Sequence, residues 1–182
     1  MMDLIKRRLP NVVEINGSLY SIYTDFRLWM RFEISVSRMT SLDDRIDVSY
    51  LFKNEMPMHC DLRELFAFSR PQSLLPRPIG VSNVITIDYE LDADLIYAAF
   101  LGQYGIDLID VEELHWHKFL ALLKGLNEDT KLREVMGYRC YRKSDDRDRD
   151  VYEEMRMAWE IEPPMSDKDQ AELEEFNKLF GG

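Results

Sequence analysis

The fold depends most on one stretch, DVEELHWHKFLALLKGL, which spans residues 110–126. Apolar residues recur in it at helical spacing, Asp110 is placed to cap a helix, and Glu113 occupies the reciprocal capping position. Gly125 suits the left-handed residue that ends many helices. We therefore predict an amphipathic helix between Asp110 and Gly125. Its broad apolar face consists of Trp116, Phe119, Leu120, Leu122, Leu123 and Leu126.

Two of the three histidines, His115 and His117, lie in this stretch and raise the question of a metal or catalytic site. Successive residues of a helix are rotated by about 100°, so these two side chains point roughly 200° apart. Side chains that face one another on a helix are three or four positions apart. The helical wheel therefore predicts His115 in the core, bonded to backbone or carboxylate partners, and His117 in solvent.

The alternative is a metal site at Glu112 and His115, which have the i, i+3 spacing of carboxylate di-iron bundles. Such sites need a second pair and two further glutamates on facing helices. The remaining histidine, His59, has no glutamate three residues before it. No glycine-flanked serine nucleophile and no glycine-rich phosphate loop is present in the sequence. The pattern thus favours a packing helix, and we predict a non-enzymatic protein without catalytic, cofactor-binding or metal-binding residues.

The N-terminal half begins with a predicted β-hairpin over residues 11–23, because Asn16-Gly17 tolerates the positive φ angles of a type I′ turn. Capping residues followed by helical periodicity predict three helices after it. These helices have N-caps at Thr24 or Asp25, at Ser41 and at Asp61. A proline-containing stretch without helical period follows from residue 71.

The second half is more strongly helical. The stretch DADLIYAAFLGQYG, residues 92–105, predicts a buried helix that ends near Gly105, because it is apolar on nearly all sides. A short helix is predicted with Asn127 as its cap and Gly137 as its end, and another runs into Pro163-Pro164. We predict a mainly α fold in four parts. They are 1–70, the hairpin plus N-terminal helices; 71–90, a linker or long loop; 91–140, a helical core; and 141–182, a charged segment and C-terminal helices.

The predicted C-terminal amphipathic helix starts at Ser166. Its apolar stripe consists of Leu173, Phe176, Leu179 and Phe180, with glutamates facing away. This stripe either packs back onto the domain or lends its apolar face to another chain, as in helix-in-groove docking. We take these four residues as the candidate partner-binding site.

Composition limits the choice of partner and compartment. The 182 residues carry 34 acids against 23 bases, for a net charge of −11, which repels phosphate backbones and argues against nucleic acid. No apolar run approaches the 18 residues of a membrane span, and the N-terminus lacks the apolar core of a secretory signal. Cys60 and Cys140 match no ligand spacing and are expected as reduced thiols. These features predict a cytosolic protein without a membrane partner.

Two blocks of the sequence resemble the bacteriophage Gp fifteen protein family of tailed phages and prophages of Gram-positive bacteria. They are LPNVVEINGSLYSIYTDFRLWMRFE near the N-terminus and the longer block that joins YAAFLGQYGIDL to LHWHKF and KGLNEDT. The family pattern usually has a second tryptophan at the position of His117. The resemblance implies no enzymatic activity and a mainly helical protein.

The resemblance also implies a role in building long non-contractile tails, since genes of this family typically lie between those of the major tail protein and the tape-measure protein. Tail-assembly chaperones occupy that position. We therefore expect a chaperone or accessory protein in the host cytoplasm that binds the tape-measure protein. The major tail protein and further copies of the chain are additional expected partners. The alternative is a structural tail component that is retained in the virion.

Overall fold

The computed structural model describes residues 8–41, 45–71, 84–141 and 149–164. They form an antiparallel hairpin of β1 (Val12–Ile15) and β2 (Ser18–Ser21), a 3₁₀ turn at Ser49–Leu51, and the helices α1 (Phe26–Ser37), α2 (Leu62–Ser69), α3 (Ala93–Tyr104), α4 (Trp116–Lys124), α5 (Lys131–Cys140) and α6 (Arg149–Trp159). The predicted mainly α fold with an N-terminal hairpin is confirmed. Within these ranges no helix has the length and apolar character needed to cross a membrane.

The hairpin turns at Asn16 and Gly17, whose φ angles of 51° and 77° match the predicted type I′ turn. Alternation along β1 places Val13 and Ile15 in the core. The turn is held against α2, because the backbone N–H of Asn16 donates to Oε1 of Glu64 at 2.8 Å. The hairpin is therefore joined to the helical core rather than standing apart from it.

Three helix boundaries agree with the local sequence chemistry. Asp25 caps α1 and Asp61 caps α2, each carboxylate accepting a hydrogen bond from the backbone N–H two residues later. Gly105 ends α3 in the left-handed conformation with φ 65°. The prediction that α3 is buried on nearly all sides is wrong, since Ile96, Ala99 and Phe100 are buried while other positions of the helix face solvent.

The helix predicted from Ser41 does not form in the described residues. Residues 45–48 are irregular and lead into the single 3₁₀ turn. The carboxylate of Asp47 accepts a hydrogen bond from the backbone N–H of Ser49 at 2.9 Å, which is a local bond that competes with helix formation. Val48 and Leu51 still reach the core from this irregular segment. Ile46 and Tyr50, whose helical spacing predicted the helix, also pack against the core. That spacing therefore indicates burial and not a helix.

The predicted boundaries of α5 are also wrong. Thr130, not Asn127, is the N-cap, and the helix continues through Gly137 to Cys140. The backbone carbonyl of Asn127 instead accepts hydrogen bonds from the backbone N–H and the hydroxyl of Thr130, in a turn before the helix. Beyond Gly137, the buried side chain of Arg139 anchors the last turn of the helix. This tertiary contact outweighs the low helix propensity of glycine.

One aromatic cluster occupies the centre of the molecule. Phe119 on α4 stacks on Phe26, Phe100 and Trp116, with ring centroids 5.0 Å, 5.0 Å and 5.5 Å away. The indole N–H of Trp116 donates to the Ser69 carbonyl at 2.8 Å, so its polar edge is satisfied inside the core. The cluster draws on both sides of the segment 71–90, whose role as a boundary between parts of the chain stays a prediction.

A buried ion pair joins three further segments. The guanidinium of Arg139 on α5 forms two bonds, of 2.6 Å and 2.9 Å, with the carboxylate of Asp92 at the start of α3. Its Nε donates to the carbonyl of Trp159 at 2.8 Å, where α6 ends. The side chains are only 4% and 2% exposed. Two parallel charge-assisted bonds of this kind fix orientation as well as distance.

We predict that Arg139→Met lowers the free energy of unfolding by about 3–5 kcal/mol, because it leaves the Asp92 carboxylate buried without a counter-charge. Arg156→Met is the matched control, since the pair that Arg156 forms with Glu160 is exposed. We expect that change to cost at most about 1 kcal/mol. Urea unfolding followed by circular dichroism measures both values. Equal losses in the two variants would contradict the central role of the Asp92–Arg139 pair.

Candidate functional site

Helices α1 and α4 begin on opposite sides of one short antiparallel bridge between Asp25 and His115. The backbone hydrogen bonds of the bridge run from Phe26 N to Leu114 O (2.8 Å) and from Trp116 N to Thr24 O (2.7 Å). Asp25 and His115 are the N-caps of the two helices and have the same extended backbone conformation, φ −60° and ψ 135°. The stretch that carries the two histidines is thereby paired with the start of α1.

His115 acts as a helix cap. Its Nδ1 accepts the backbone N–H of His117 at 3.0 Å, and its Nε2 lies 2.9 Å from the Pro10 carbonyl. A neutral imidazole with its proton on Nε2 satisfies both contacts, because one nitrogen then accepts and the other donates. Burial, the largest influence, lowers the pKa of His115 below its usual value, which favours this neutral form.

The predicted helix start at Asp110, with Glu113 as its capping partner, is wrong. The guanidinium of Arg27 donates to the carbonyls of Leu108 at 2.9 Å and Val111 at 2.7 Å, so these groups are engaged by a side chain from α1. Residues 108–110 form a turn, and the helix starts at Trp116. Gly125 follows the helix with φ −87° rather than in the predicted left-handed conformation.

His117 is buried, only 5% exposed, which contradicts its predicted position in solvent. Its Nε2 donates to the Phe68 carbonyl at 2.8 Å, and the two rings lie 4.6 Å apart between centroids. The end of α2 covers the side of α4 that the helical wheel left open, and a wheel for one helix cannot show such a neighbour. Burial lowers the pKa of His117 to about 4.

The rings of His115 and His117 are therefore close, with centroids 5.3 Å apart. Each side chain, however, forms its hydrogen bonds with backbone groups. Both ring nitrogens of His115 are occupied, so it has no free lone pair with which to join Glu112 in the alternative metal site. Across the described ranges no group of three or more His, Cys, Asp or Glu side chains could hold a metal ion. The arrangement supports packing and capping.

The two cysteines are free thiols. Burial, with smaller contributions from the carboxylates of Glu64 and Asp61, raises the pKa of Cys60 to about 11. The thiolate is the reactive form of cysteine, so Cys60 is kept unreactive. Cys140 lies exposed at the end of α5.

The apolar surface of α6 is the clearest candidate for binding another protein. Tyr152 stacks on Tyr141 of the α5 end, with centroids 5.2 Å apart, which fixes the helix on α5. Val151, Tyr152 and Met157 nevertheless remain 58%, 44% and 63% exposed. Val151 and Met157 lie about 120° apart around the helix axis, so the exposed side chains are spread over more than one face of α6. We call these three residues the α6 surface. The helical spacing of Val151, Met155 and Ala158 predicts this helix, but spacing alone does not show which face stays uncovered.

The candidate partner-binding residues of the C-terminal helix, Leu173, Phe176, Leu179 and Phe180, lie outside the described residues. Their role stays a prediction. The preceding helix, α6, ends at Trp159, before Pro163 and Pro164.

A family model described as Bacteriophage Gp15 protein matches residues 49–161, which is more than half of the chain. No curated protein and no solved structure matches the chain. The matched range contains α2 to α6, both histidines of the bridge region and the Asp92–Arg139 pair. The hairpin and α1 precede it.

We predict that stability falls as the pH is lowered from 6.5 toward 4, in part because His117 gains a proton more readily in the unfolded chain. Its pKa is about 4 when folded, against an ordinary 6.5, so its contribution is complete above pH 6.5 and declines below it. At pH 5 the loss due to this residue is about 2 kcal/mol. His117→Gln keeps a donor for the Phe68 carbonyl but does not titrate. At pH 5 its free energy of unfolding should therefore have fallen by about 2 kcal/mol less than that of the wild type.

Urea unfolding at pH 7 and pH 5 compares wild type, His117→Gln and a His59→Gln control. His59 is exposed, so its variant should follow the wild type. If His117→Gln shows the full wild-type loss between the two pH values, His117 is not the buried neutral group described above.

Proposed function

The chain belongs to the Bacteriophage Gp15 protein family, and we propose on that basis that it is a non-enzymatic tail-assembly chaperone of a long non-contractile tail. In this role it binds the tape-measure protein in the host cytoplasm before the tail tube encloses it. The resemblance of the sequence to proteins encoded beside tape-measure genes supports the assignment. His115 and His117, the candidate catalytic or metal-binding residues, are used for helix capping and packing, which agrees with a binding role.

The observation that carries the proposal is the α6 surface. Val151 and Met157 are each more than half exposed on a helix that is already fixed to the core through Tyr152. Burial of one large apolar side chain contributes about 1.5–3 kcal/mol. Exposed apolar groups of this kind on a helix suit contact with the apolar stripe of a partner helix.

The charge of the chain suits the same role. A long helical protein that awaits its tube exposes apolar stripes, and such stripes promote aggregation. A partner with a net charge of −11 covers the stripes and at the same time keeps the complex soluble by repulsion between complexes. The predicted C-terminal stripe of Leu173, Phe176, Leu179 and Phe180 adds a second apolar face for the tape-measure protein, for the major tail protein or for another copy of the chain.

We predict that co-expression with the tape-measure protein of the same genome makes that protein soluble and that the two co-purify. Val151→Asp combined with Met157→Asp should reduce the co-purified tape-measure protein at least about tenfold, since each change puts a charge into the contact. Ile109→Asp is the matched control, because Ile109 is 76% exposed and its carbonyl contacts Arg27 of α1. Densitometry of the eluted complex gives the ratio.

Circular dichroism first establishes that each variant is folded. A tape-measure protein that remains insoluble and unbound beside a folded wild-type chain contradicts the proposal and favours a structural tail component. If the α6 variant and Ile109→Asp lose equal amounts of co-purified tape-measure protein, the α6 surface is not part of the contact.

A further inference from the structure

A groove with a volume of about 990 Å³ lies between α1, the end of α2, α4 and the segment 84–91. Its apolar lining includes Ile34, Ile87, Tyr89, Leu91, Trp116 and Leu120. Leu91 is 71% exposed on its rim. The described chain also runs along this groove as it leaves α6, because Ile161 and the last described residue, Pro164, contribute to the lining.

We propose that the groove is the docking site of the chain's own C-terminal segment, residues 165–182. Two observations carry this inference. Apolar side chains line the groove between charged ones such as Glu33, Arg70 and Lys124, and Pro164 is part of the lining. The 18 residues that follow Pro164 carry the apolar stripe of Leu173, Phe176, Leu179 and Phe180. The apolar face of the segment and the apolar walls of the groove would remove each other from water.

The covalent connection decides between this segment and a separate chain. Pro164 and Ile161 already lie in the groove wall, and only residues 165–172 separate Pro164 from the start of the stripe at Leu173, so the tether is short. A short tether gives an effective concentration in the millimolar range. At micromolar protein concentration, the same segment of a second copy competes at a disadvantage of roughly a thousandfold. The occupant is therefore the segment of the same molecule.

Docking would also control whether the apolar stripe is accessible to a partner. A stripe held in the groove is covered, and it becomes available when a partner helix competes for either the stripe or the groove. The docked state is a property of the isolated chain, so its test does not depend on the tape-measure protein. The proposed function and this inference can therefore fail separately.

Disulfide trapping in the isolated full-length chain tests the contact. In a Cys60→Ser, Cys140→Ser background, Leu91→Cys is combined with Phe176→Cys, and Ile109→Cys with Phe176→Cys is the control. Leu91 and Ile109 are similarly exposed, at 71% and 76%, but only Leu91 lines the groove. Oxidation at about 1 μM, far below the effective concentration of a short tether, is followed on non-reducing gels.

We expect an intramolecular disulfide in the Leu91 pair that forms at least about tenfold faster than in the Ile109 pair, since only the docked segment brings its thiols together. Equal rates in the two pairs would overturn the proposal. A disulfide-linked dimer as the main product would also overturn it, in favour of docking on a second copy.

Amide hydrogen exchange provides a second measurement without new cysteines. Residues 173–180 should be protected in wild type, and Leu91→Asp should lower that protection at least about tenfold while Ile109→Asp leaves it unchanged. Pro71 also lines the groove, so residues 72–83, which follow it in the sequence, are the competing occupant within the chain. If they fill the groove instead, residues 173–180 exchange freely in wild type, and the proposal is wrong.

Discussion

The bridge between Asp25 and His115 sets the arrangement of the whole core, because α1 and α4 both begin at it. The side chain of each of these two residues caps the helix that follows it, and their backbones pair with each other in the bridge. Two helices that start at a common point and diverge must bring their first turns into contact. This is where Phe26 meets Phe119 at 5.0 Å. The neutral state of His115 matters here, since the capping nitrogen must keep its lone pair.

Charged side chains reinforce this arrangement from within. The guanidinium of Arg27 donates hydrogen bonds to carbonyl oxygens of the loop before α4. Arg139 joins α5 to the start of α3 and the end of α6. Buried ion pairs add orientation more than net stability, because removing charges from water costs much of what their attraction returns. In this chain the buried Asp92–Arg139 pair fixes where α3, α5 and α6 lie relative to one another. The polar groups inside organise the scaffold, and apolar groups outside, on α6 and around the groove, are left for contact.

Local chemistry was sufficient to predict some elements. Asn16-Gly17 determines its turn by backbone preference, and Asp25, Asp61 and Gly105 act within a few residues of their own positions. The failures share a different cause. Asp110 looks like a cap, but Arg27, more than 80 positions away in sequence, engages the carbonyls of that segment. Gly137 looks like a stop, but the contact of Arg139 with Asp92 carries the helix past it.

His117 shows the same limit for the candidate site. Its angle on the helical wheel was right, yet the end of α2 lies on that side of α4 and buries the ring. A single arginine such as Arg139 in a charged segment also carries no sequence signal that it is buried. Only the tertiary structure shows that Arg139 is buried and paired with Asp92. The absence of known nucleophile and phosphate-binding motifs was readable from sequence, whereas the position of the uncovered α6 surface was not.

We propose that this phage protein assists assembly of the tail by transient binding and is not built into the product. Quantitative mass spectrometry of purified particles of the encoding phage, compared with the infected-cell lysate, tests this claim most directly. The account predicts abundant chain in the lysate and none in particles that contain the tape-measure and major tail proteins. Recovery of the chain from the particles at a fixed ratio to the tape-measure protein would contradict it and identify a structural tail component.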